Sequence, residues 1–199
     1  MKLILASSSP GRKALLARLQ LPFSCIAPDI DESILPGEAA SDLVMRLARA
    51  KAAKVNKRLT SQSNKNHVVE DHIIVAADQV AGLGDKIFTK PLTTAKAENQ
   101  LTAMSNQLVT FFTGVCLMNQ KTGSRQKILS LYQVCFRNLT PVIIADYLAK
   151  EQPLQCAGSF QSEGLGITLV KYFKGDDPTS LIGLPLIQLS HMLAIEGLV

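Results

Sequence analysis

Two long runs with the composition of β-strands constrain the fold of this chain most strongly. Residues 107–119 and 126–137 are rich in β-branched, aromatic and aliphatic side chains, and the polar segment NQKTGSRQ joins them. Two such runs on either side of a polar segment that contains glycine predict an antiparallel hairpin. The chain must therefore build a sheet that is at least partly antiparallel.

The rest of the chain alternates between helical and strand-like patterns. Strands are predicted at 2–6, 22–27 and 73–77, with one or two short strands around 80–88. Helices are predicted at 9–19, 38–58, 93–104, 140–150 and 185–197, an exposed loop at 60–71, and short strand-like pieces at 153–175. Interspersed elements of both kinds predict an α/β fold with a mixed sheet. A length of 199 residues suits a single domain, 1–199.

Composition narrows the class of partner. The net charge of +5 is scattered, aromatic residues are 5% of the chain and Trp is absent, so we expect no nucleic-acid groove. No apolar run reaches the roughly 18 residues that span a bilayer, and the apolar start is too short for a signal peptide. The four cysteines form no CxxC pair, which is typical of free thiols in a reducing compartment. We therefore expect a soluble cytoplasmic protein that binds no membrane.

The segment ASSSPGRKALL, residues 6–16, places positive charge where a helix disfavours it. Ser8 or Ser9 is suited to the N-cap and Pro10 to the first helical position. Arg12 and Lys13 then lie at the positive end of the helix dipole, which is unfavourable by a few tenths to about 1 kcal/mol. A bound phosphate would resolve this conflict. The alternative is an ordinary capped helix whose cations point into solvent.

Lys51 breaks the pattern of the helix predicted at 38–58. It falls in the middle of the apolar stripe formed by Val44, Leu47, Ala48, Ala52 and Val55. A lysine at such a position must extend its ammonium to solvent, pair with an acid or face a polar cavity.

Acidic residues occur at two further informative places. Asp78 follows the buried run IIVAA, at the edge of a sheet where ligands commonly bind, although an Asx turn or a helix cap explains it equally well. Glu32 follows Asp31 in a loop, and Pro91 keeps Lys90 extended. Cations, carboxylates and a helix N-terminus together are typical of a metal-assisted phosphate site. No GxxxxGK[ST], GxGxxG, HExxH or GxSxG motif is present.

The same residues resemble the Maf family of nucleoside triphosphate pyrophosphatases. The resemblance is carried in order by LILASSSPGRKALL, IDES, LARAKA, AADQV, TKPL, AGSFQSEG and GLPL, from Leu3 to about Leu193. The segments DQV and CAGSFQSEG look most like the branch that acts on 7-methyl-GTP.

The resemblance implies hydrolysis of a nucleoside triphosphate to a monophosphate and pyrophosphate with Mg²⁺ or Mn²⁺. It assigns Asp78 as general base, and Asp78 and Glu32 as metal ligands. It assigns phosphate binding to Ser7, Arg12, Lys13, Lys51 and Lys90, and base specificity to Gly11, Gln79 and Gln161. It also implies an elongated α/β fold with a central mixed sheet, flanking helices and a cleft between two lobes, often as a homodimer.

The sequence departs from the family at several of these positions. Gly11 stands where members usually carry Arg or Trp, Lys13 replaces Arg, and Gln161 stands where close relatives often have Lys. Two alternatives stay open: the specificity of an inosine triphosphate pyrophosphatase, and a regulatory protein of cell division that binds nucleotide without hydrolysing it. Retention of Asp78 and Glu32 favours an enzyme.

Overall fold

The computed structural model describes residues 1–66 and 71–199, with side chains described outside 62–66. In these residues seven strands form one mixed sheet, and five α-helices flank it. The strands are β1 (Lys2–Leu5), β2 (Phe23–Cys25), β3 (His72–Leu83), β4 (Lys86–Phe88), β5 (Leu108–Asn119), β6 (Arg125–Phe136) and β7 (Val170–Gly175). The helices are α1 (Pro10–Ala17), α2 (Ala40–Asn66), α3 (Thr94–Met104), α4 (Pro141–Glu151) and α5 (Leu186–Ile195). The predicted α/β class with a mixed sheet is confirmed.

The first half of the chain supplies the parallel part of the sheet. The strand order is β2-β1-β3-β5-β6-β7; β1 is parallel to both β2 and β3, and β4 pairs with β3. Alternate residues of β1 and β3 point to opposite faces. On one face Ile4 and Ile74 pack against the apolar stripe of α2. On the other face Leu5 and Val75 pack against α1 and α5, so the sheet lies between two helical layers.

The predicted hairpin is confirmed as β5 and β6. The two strands pair antiparallel from Leu108 opposite Cys135 to Met118 opposite Arg125, and β5 also pairs antiparallel along β3. A second apolar core, with Phe111 among its members, joins this hairpin to α3, α4 and the segment around Phe160.

Helix starts follow the capping signals in the sequence. Ser9, Thr93 and Thr140 are N-caps whose side chains accept a hydrogen bond from a backbone N–H of the first turn. Within the described residues, no helix combines the length and apolar character needed to cross a membrane.

The loop predicted at 60–71 is wrong for residues 60–66, which continue α2. The polar side chains there are compatible with a helix because they bond to its own backbone: Thr60 Oγ1 donates to the Asn56 carbonyl at 3.0 Å, and Ser61 Oγ to the Lys57 carbonyl at 2.9 Å. Residues 67–70 of the predicted loop lie outside the described residues.

Asp78 lies within a strand and not after one. The strand predicted to stop at residue 77 continues as β3 to Leu83, because β5 pairs with it along that length, with Asp78 opposite Gly114. On the other side of β3, pairing with β1 ends at Val75 and pairing with β4 begins at Ala81. In the described part of the chain no strand covers the interval between them, so Asp78 lies beside the carboxyl end of β1.

Candidate active site

A cleft of about 730 Å³ opens where β1 leads into α1. Its walls are the N-terminus of α1, the loop around residues 27–32, and the segments around Gln155–Glu163 and Leu181–Ile182. The structure places eight of the predicted site residues on its lining: Ser7, Gly11, Arg12, Glu32, Lys51, Gln79, Lys90 and Gln161. Residues that are far apart in the sequence therefore share one cavity.

Lys51 joins two carboxylates at the base of this cleft. Its side chain is 5% exposed, and its Nζ donates to Oδ1 of Asp78 and, at 2.6 Å, to Oε1 of Glu32. Asp78 is equally buried and contacts the cleft through Lys51. A cation in an apolar helical stripe requires a partner, and here two carboxylates compensate it.

Glu32 lies at the more open end of this group. Its Oε2 is 3.9 Å from Nζ of Lys90, a pair whose members are nearly half exposed. Burial of Glu32 raises its pKa, but the hydrogen bond from Lys51 and the charges of Lys51, Lys90 and Arg12 outweigh burial, so the pKa of Glu32 lies below its ordinary value. Glu32 is therefore held as a carboxylate among three cations.

The loop that carries Glu32 is anchored to α2 by Arg46. Arg46 forms a two-pronged ion pair with Glu38, at 2.6 Å and 2.7 Å, and its Nη2 also donates to the Ser33 carbonyl at 2.8 Å. The hydrogen bond from Arg46 lowers the pKa of Glu38 to about 2. Asp31 stabilises the same loop and does not contact the cleft, since its carboxylate accepts hydrogen bonds from the backbone N–H and the hydroxyl of Ser33.

Arg12 projects from the first turn of α1 and is fixed at one atom. Its Nε donates to the Gly183 carbonyl at 2.9 Å. Burial lowers the pKa of Arg12, and the charges of Asp78 and Glu32 oppose that effect; an arginine remains protonated in any case. Among the described residues the guanidinium has no other hydrogen-bond partner, so its two terminal nitrogens are available to an anionic ligand.

The N-terminus of α1 faces the cleft with backbone donors. Ser9 caps the Arg12 N–H at 3.4 Å, and Ser7 Oγ accepts from the Ser9 N–H at 3.1 Å, which shapes the turn. Such a turn favours an anion. Lys13 is exposed on the next position of the helix and does not line the cleft, so the structure does not bring it to the other predicted phosphate-binding residues.

The two glutamines predicted to confer specificity have different surroundings. Gln79 uses its amide nitrogen to donate to Thr113 Oγ1 at 2.9 Å and to the Ser180 carbonyl at 2.7 Å. Gln161 is held through its backbone N–H, which donates to the Tyr147 hydroxyl at 3.1 Å. Base recognition by either residue stays a prediction.

Sequence reasoning missed Glu163 and Cys156, which also line the cleft. A β-carbon on Gly11 would lie 3.2 Å from Ile182 Cγ2 and 3.6 Å from Glu163 Oε1, so Gly11 and Glu163 face each other. Burial, with Glu163 and Glu151 nearby, raises the pKa of the Cys156 thiol to about 11. Both residues fall in the segment CAGSFQSEG, and this position in the family motif was the available signal.

Only part of a metal-binding set is present. Within the described residues, no group of three or more His, Cys, Asp or Glu side chains could hold a metal ion. Glu32 and Asp78 nevertheless direct one oxygen each to the same point, which Lys51 Nζ occupies. Two carboxylates suit Mg²⁺, which commonly takes its remaining ligands from substrate phosphates and water.

Comparison with known proteins shows the family of this chain. A family model described as Maf-like protein matches residues 2–196. The chain belongs to the Maf family. Among the proteins that this Maf chain is similar to, one from Nitrosococcus oceani is 49% identical over 195 residues, which is 98% of this chain and 93% of that protein. One from Pseudomonas syringae pv. tomato is 50% identical over 195 residues, or 98% and 96% of the two chains. Both relatives are named 7-methyl-GTP pyrophosphatase.

Proposed function

We propose that this Maf protein hydrolyses a nucleoside triphosphate to the monophosphate and pyrophosphate, and that 7-methyl-GTP is its preferred substrate. The observation that carries the proposal is the buried Lys51, bonded to Asp78 and Glu32 at the base of a cleft whose rim holds Arg12 and Lys90. Three cations beside a helix N-terminus suit a triphosphate, and the two carboxylates suit activation of water. The names of the close relatives support the same reaction.

In this proposal the triphosphate lies across the N-terminus of α1. Arg12 provides a two-pronged contact through its terminal nitrogens, and Ser7 and the backbone N–H groups add donors. Lys90 is the more exposed cation and contacts phosphate at the open side of the cleft. In this arrangement we expect the α-phosphorus to lie near the end of the Lys51 side chain.

The triphosphate competes with Asp78 for Lys51. When the ammonium turns toward a phosphate oxygen, Asp78 loses that hydrogen bond and can accept a proton from a water molecule. The water oxygen forms a bond to the α-phosphorus, the bond from that phosphorus to the bridging oxygen breaks, and pyrophosphate leaves with the electron pair. Positioning and charge stabilisation by the cations supply the rest of the rate enhancement.

Glu32 and Asp78 are the residues that would hold a divalent cation. When bound, Mg²⁺ or Mn²⁺ offsets the negative charge of the phosphates and of the leaving group. Lys51, turned toward a phosphate oxygen, would supply a further positive charge beside the phosphates.

The Glu163 side of the cleft suits a cationic base. Methylation at N7 gives guanine a positive charge, and Glu163 offers a carboxylate on the lining of the cleft. This charge match favours 7-methyl-GTP over unmethylated GTP. A homodimer and a cytoplasmic location, both expected from the sequence, stay predictions.

The test is pyrophosphate release from canonical triphosphates and 7-methyl-GTP, with Mg²⁺ and with Mn²⁺. We expect the highest kcat/KM for 7-methyl-GTP. Asp78→Asn should lower kcat by a factor on the order of 10² to 10⁴, the usual contribution of a general base, while the variant stays folded. Asp85→Asn, an exposed carboxylate in the turn after β3, is the matched control and should leave kcat unchanged. Stoichiometric nucleotide binding without pyrophosphate release would contradict the proposal.

A further inference from the structure

Thr113 is a polar residue with no solvent exposure in the middle of β5. Its hydroxyl accepts from Gln79 Nε2 at 2.9 Å and donates to the Ser180 carbonyl at 2.9 Å. Gln79 Nε2 also donates to the Ser180 and Leu181 carbonyls, at 2.7 Å and 3.2 Å. Because both carbonyls can only accept, the amide nitrogen of Gln79 must face them. Two strands of the sheet are thus bonded to one turn of the segment 178–182.

The same turn is bonded to Arg12 through Gly183. The Ser180 carbonyl also accepts from the Gly183 N–H at 3.0 Å, so the position of Ser180 determines where Gly183 lies. Gly183 has φ 109°, a conformation that favours glycine, and a β-carbon there would lie 3.1 Å from Arg12 Nε. Its carbonyl is the acceptor that fixes Arg12 Nε. A continuous chain of hydrogen bonds therefore joins Thr113 to the guanidinium in the cleft.

The other end of the segment is fixed independently. Asp177 is 1% exposed; its carboxylate accepts from the Thr179 N–H and, at 2.8 Å, from the Ile187 N–H in the first turn of α5. The Ser180 hydroxyl donates to the Asp177 carbonyl at 2.7 Å. The segment is therefore anchored to α5 whether or not Thr113 keeps its hydroxyl, so loss of that hydroxyl should shift the Ser180–Gly183 end without unfolding the segment.

We propose that Thr113, together with Gln79, is a positioning residue that sets the location of the Arg12 guanidinium through Ser180 and Gly183. The inference rests on the proposed function, in which Arg12 binds the triphosphate. It assigns Gln79 a role in holding the phosphate-binding arginine, separate from recognition of the base. Because every nucleoside triphosphate presents the same phosphates, the effect of Thr113 should not depend on the base.

The decisive variant is Thr113→Val, which keeps the shape and strand preference of the residue and removes the hydroxyl. Misplacement of a binding group by about 1 Å can cost as much as 10²-fold, so we expect kcat/KM to fall by roughly 10- to 100-fold, by the same factor for each triphosphate. Thr113→Ser should restore most of the loss. Thr110→Val, on the same strand, is the control and should behave as the wild type, because the Thr110 hydroxyl accepts from Gln133 Nε2 at 3.4 Å and has no bond to the segment 178–182.

A double-mutant cycle separates positioning from general damage to the fold. If Thr113 acts through Arg12, Thr113→Val should have almost no further effect on kcat/KM in an Arg12→Ala background. If Thr113 had only a structural role, Thr113→Val would lower the melting temperature, and its factor of loss in kcat/KM would multiply with the factor caused by Arg12→Ala. Undiminished activity of Thr113→Val, or full multiplication in the cycle, would overturn the inference.

Binding of inorganic tripolyphosphate, measured by calorimetry, keeps this test distinct from that of the proposed function. If the wild type hydrolyses no nucleotide, the proposed reaction is wrong, yet weaker tripolyphosphate binding by Thr113→Val would still support the positioning role. If Thr113→Val does not fold, Gln79→Leu removes the other donor to Ser180. A loss common to all bases in that variant supports the inference, and a loss confined to one base overturns it.

Discussion

Removal of the Lys51 ammonium should lower the free energy of unfolding by much more than removal of a charge on the protein surface. Lys51→Met keeps an unbranched stem in the apolar stripe, so packing changes little. It leaves Asp78, which is 5% exposed, as a buried carboxylate without its hydrogen-bonded cation. Removing one member of a buried pair costs about 3–5 kcal/mol, and loss of the half-exposed Glu32 pair adds at most about 1 kcal/mol. We therefore expect a loss of about 3–6 kcal/mol in the free energy of unfolding.

Urea unfolding at neutral pH measures this loss, with thermal melting as a second readout. For a chain of this length each kcal/mol shifts the melting temperature by about 2–4 °C, so Lys51→Met should melt roughly 6–24 °C lower. Lys54→Met, the same change at an exposed position on α2, should stay within about 0.5 kcal/mol of the wild type. Adding Asp78→Asn to Lys51→Met should recover a large part of the loss, because no uncompensated carboxylate remains. A Lys51→Met protein as stable as Lys54→Met would refute the reasoning.

Two further predictions concern the support of the same group. Gly114→Ala should lower the free energy of unfolding by about 1–3 kcal/mol and should also lower the rate of pyrophosphate release. The new β-carbon would lie 2.7 Å from the Val44 carbonyl and would push α2, which carries Lys51, away from the sheet. An unchanged melting temperature and unchanged activity would contradict this close contact. The pKa of Glu32 is below its ordinary value of 4.5, so its stabilising contribution should be complete above pH 4.5 and lost as the pH falls through the lower pKa of the folded state. The stability difference between wild type and Glu32→Gln, measured by urea unfolding at a series of pH values, should therefore shrink on acidification, and a constant difference would count against the ion pair.

The elements of the fold were predictable where local signals were strong. The hairpin of β5 and β6, the helices predicted at 93–104 and 140–150, and the buried strand at 73–77 follow from composition and local sequence patterns alone. The sequence-based predictions are wrong where contacts between distant parts of the chain determine the length of an element. The polar segment that begins with Thr60 and Ser61 suggested a loop, yet α2 continues through it. Extending a helix costs far less free energy than starting one, and the two hydroxyl groups donate to carbonyls of α2 itself.

The site was predictable to the extent that its residues violate a local rule. Lys51 was identified because a charge in an apolar stripe demands compensation, and Arg12 because it opposes a helix dipole. Lys13 shares the second violation but resolves it by exposure to solvent. Thr113 breaks no rule, since a threonine in a strand is ordinary, and its role follows only from its contact with the segment 178–182.

The identity of the partner of Lys51 is set by helix geometry and not by the local sequence. Gly114 pairs with Asp78 in the sheet, and the backbone of α2 crosses Gly114 at Val44. Lys51 lies seven residues, or about two turns, after Val44. Because helical side chains lean toward the N-terminus of their helix, the long lysine reaches back toward Asp78 from that position. A shift of α2 by one turn would separate the ammonium from the carboxylate, so the close contact that Gly114 permits is a condition for the charged group on which the proposed chemistry depends.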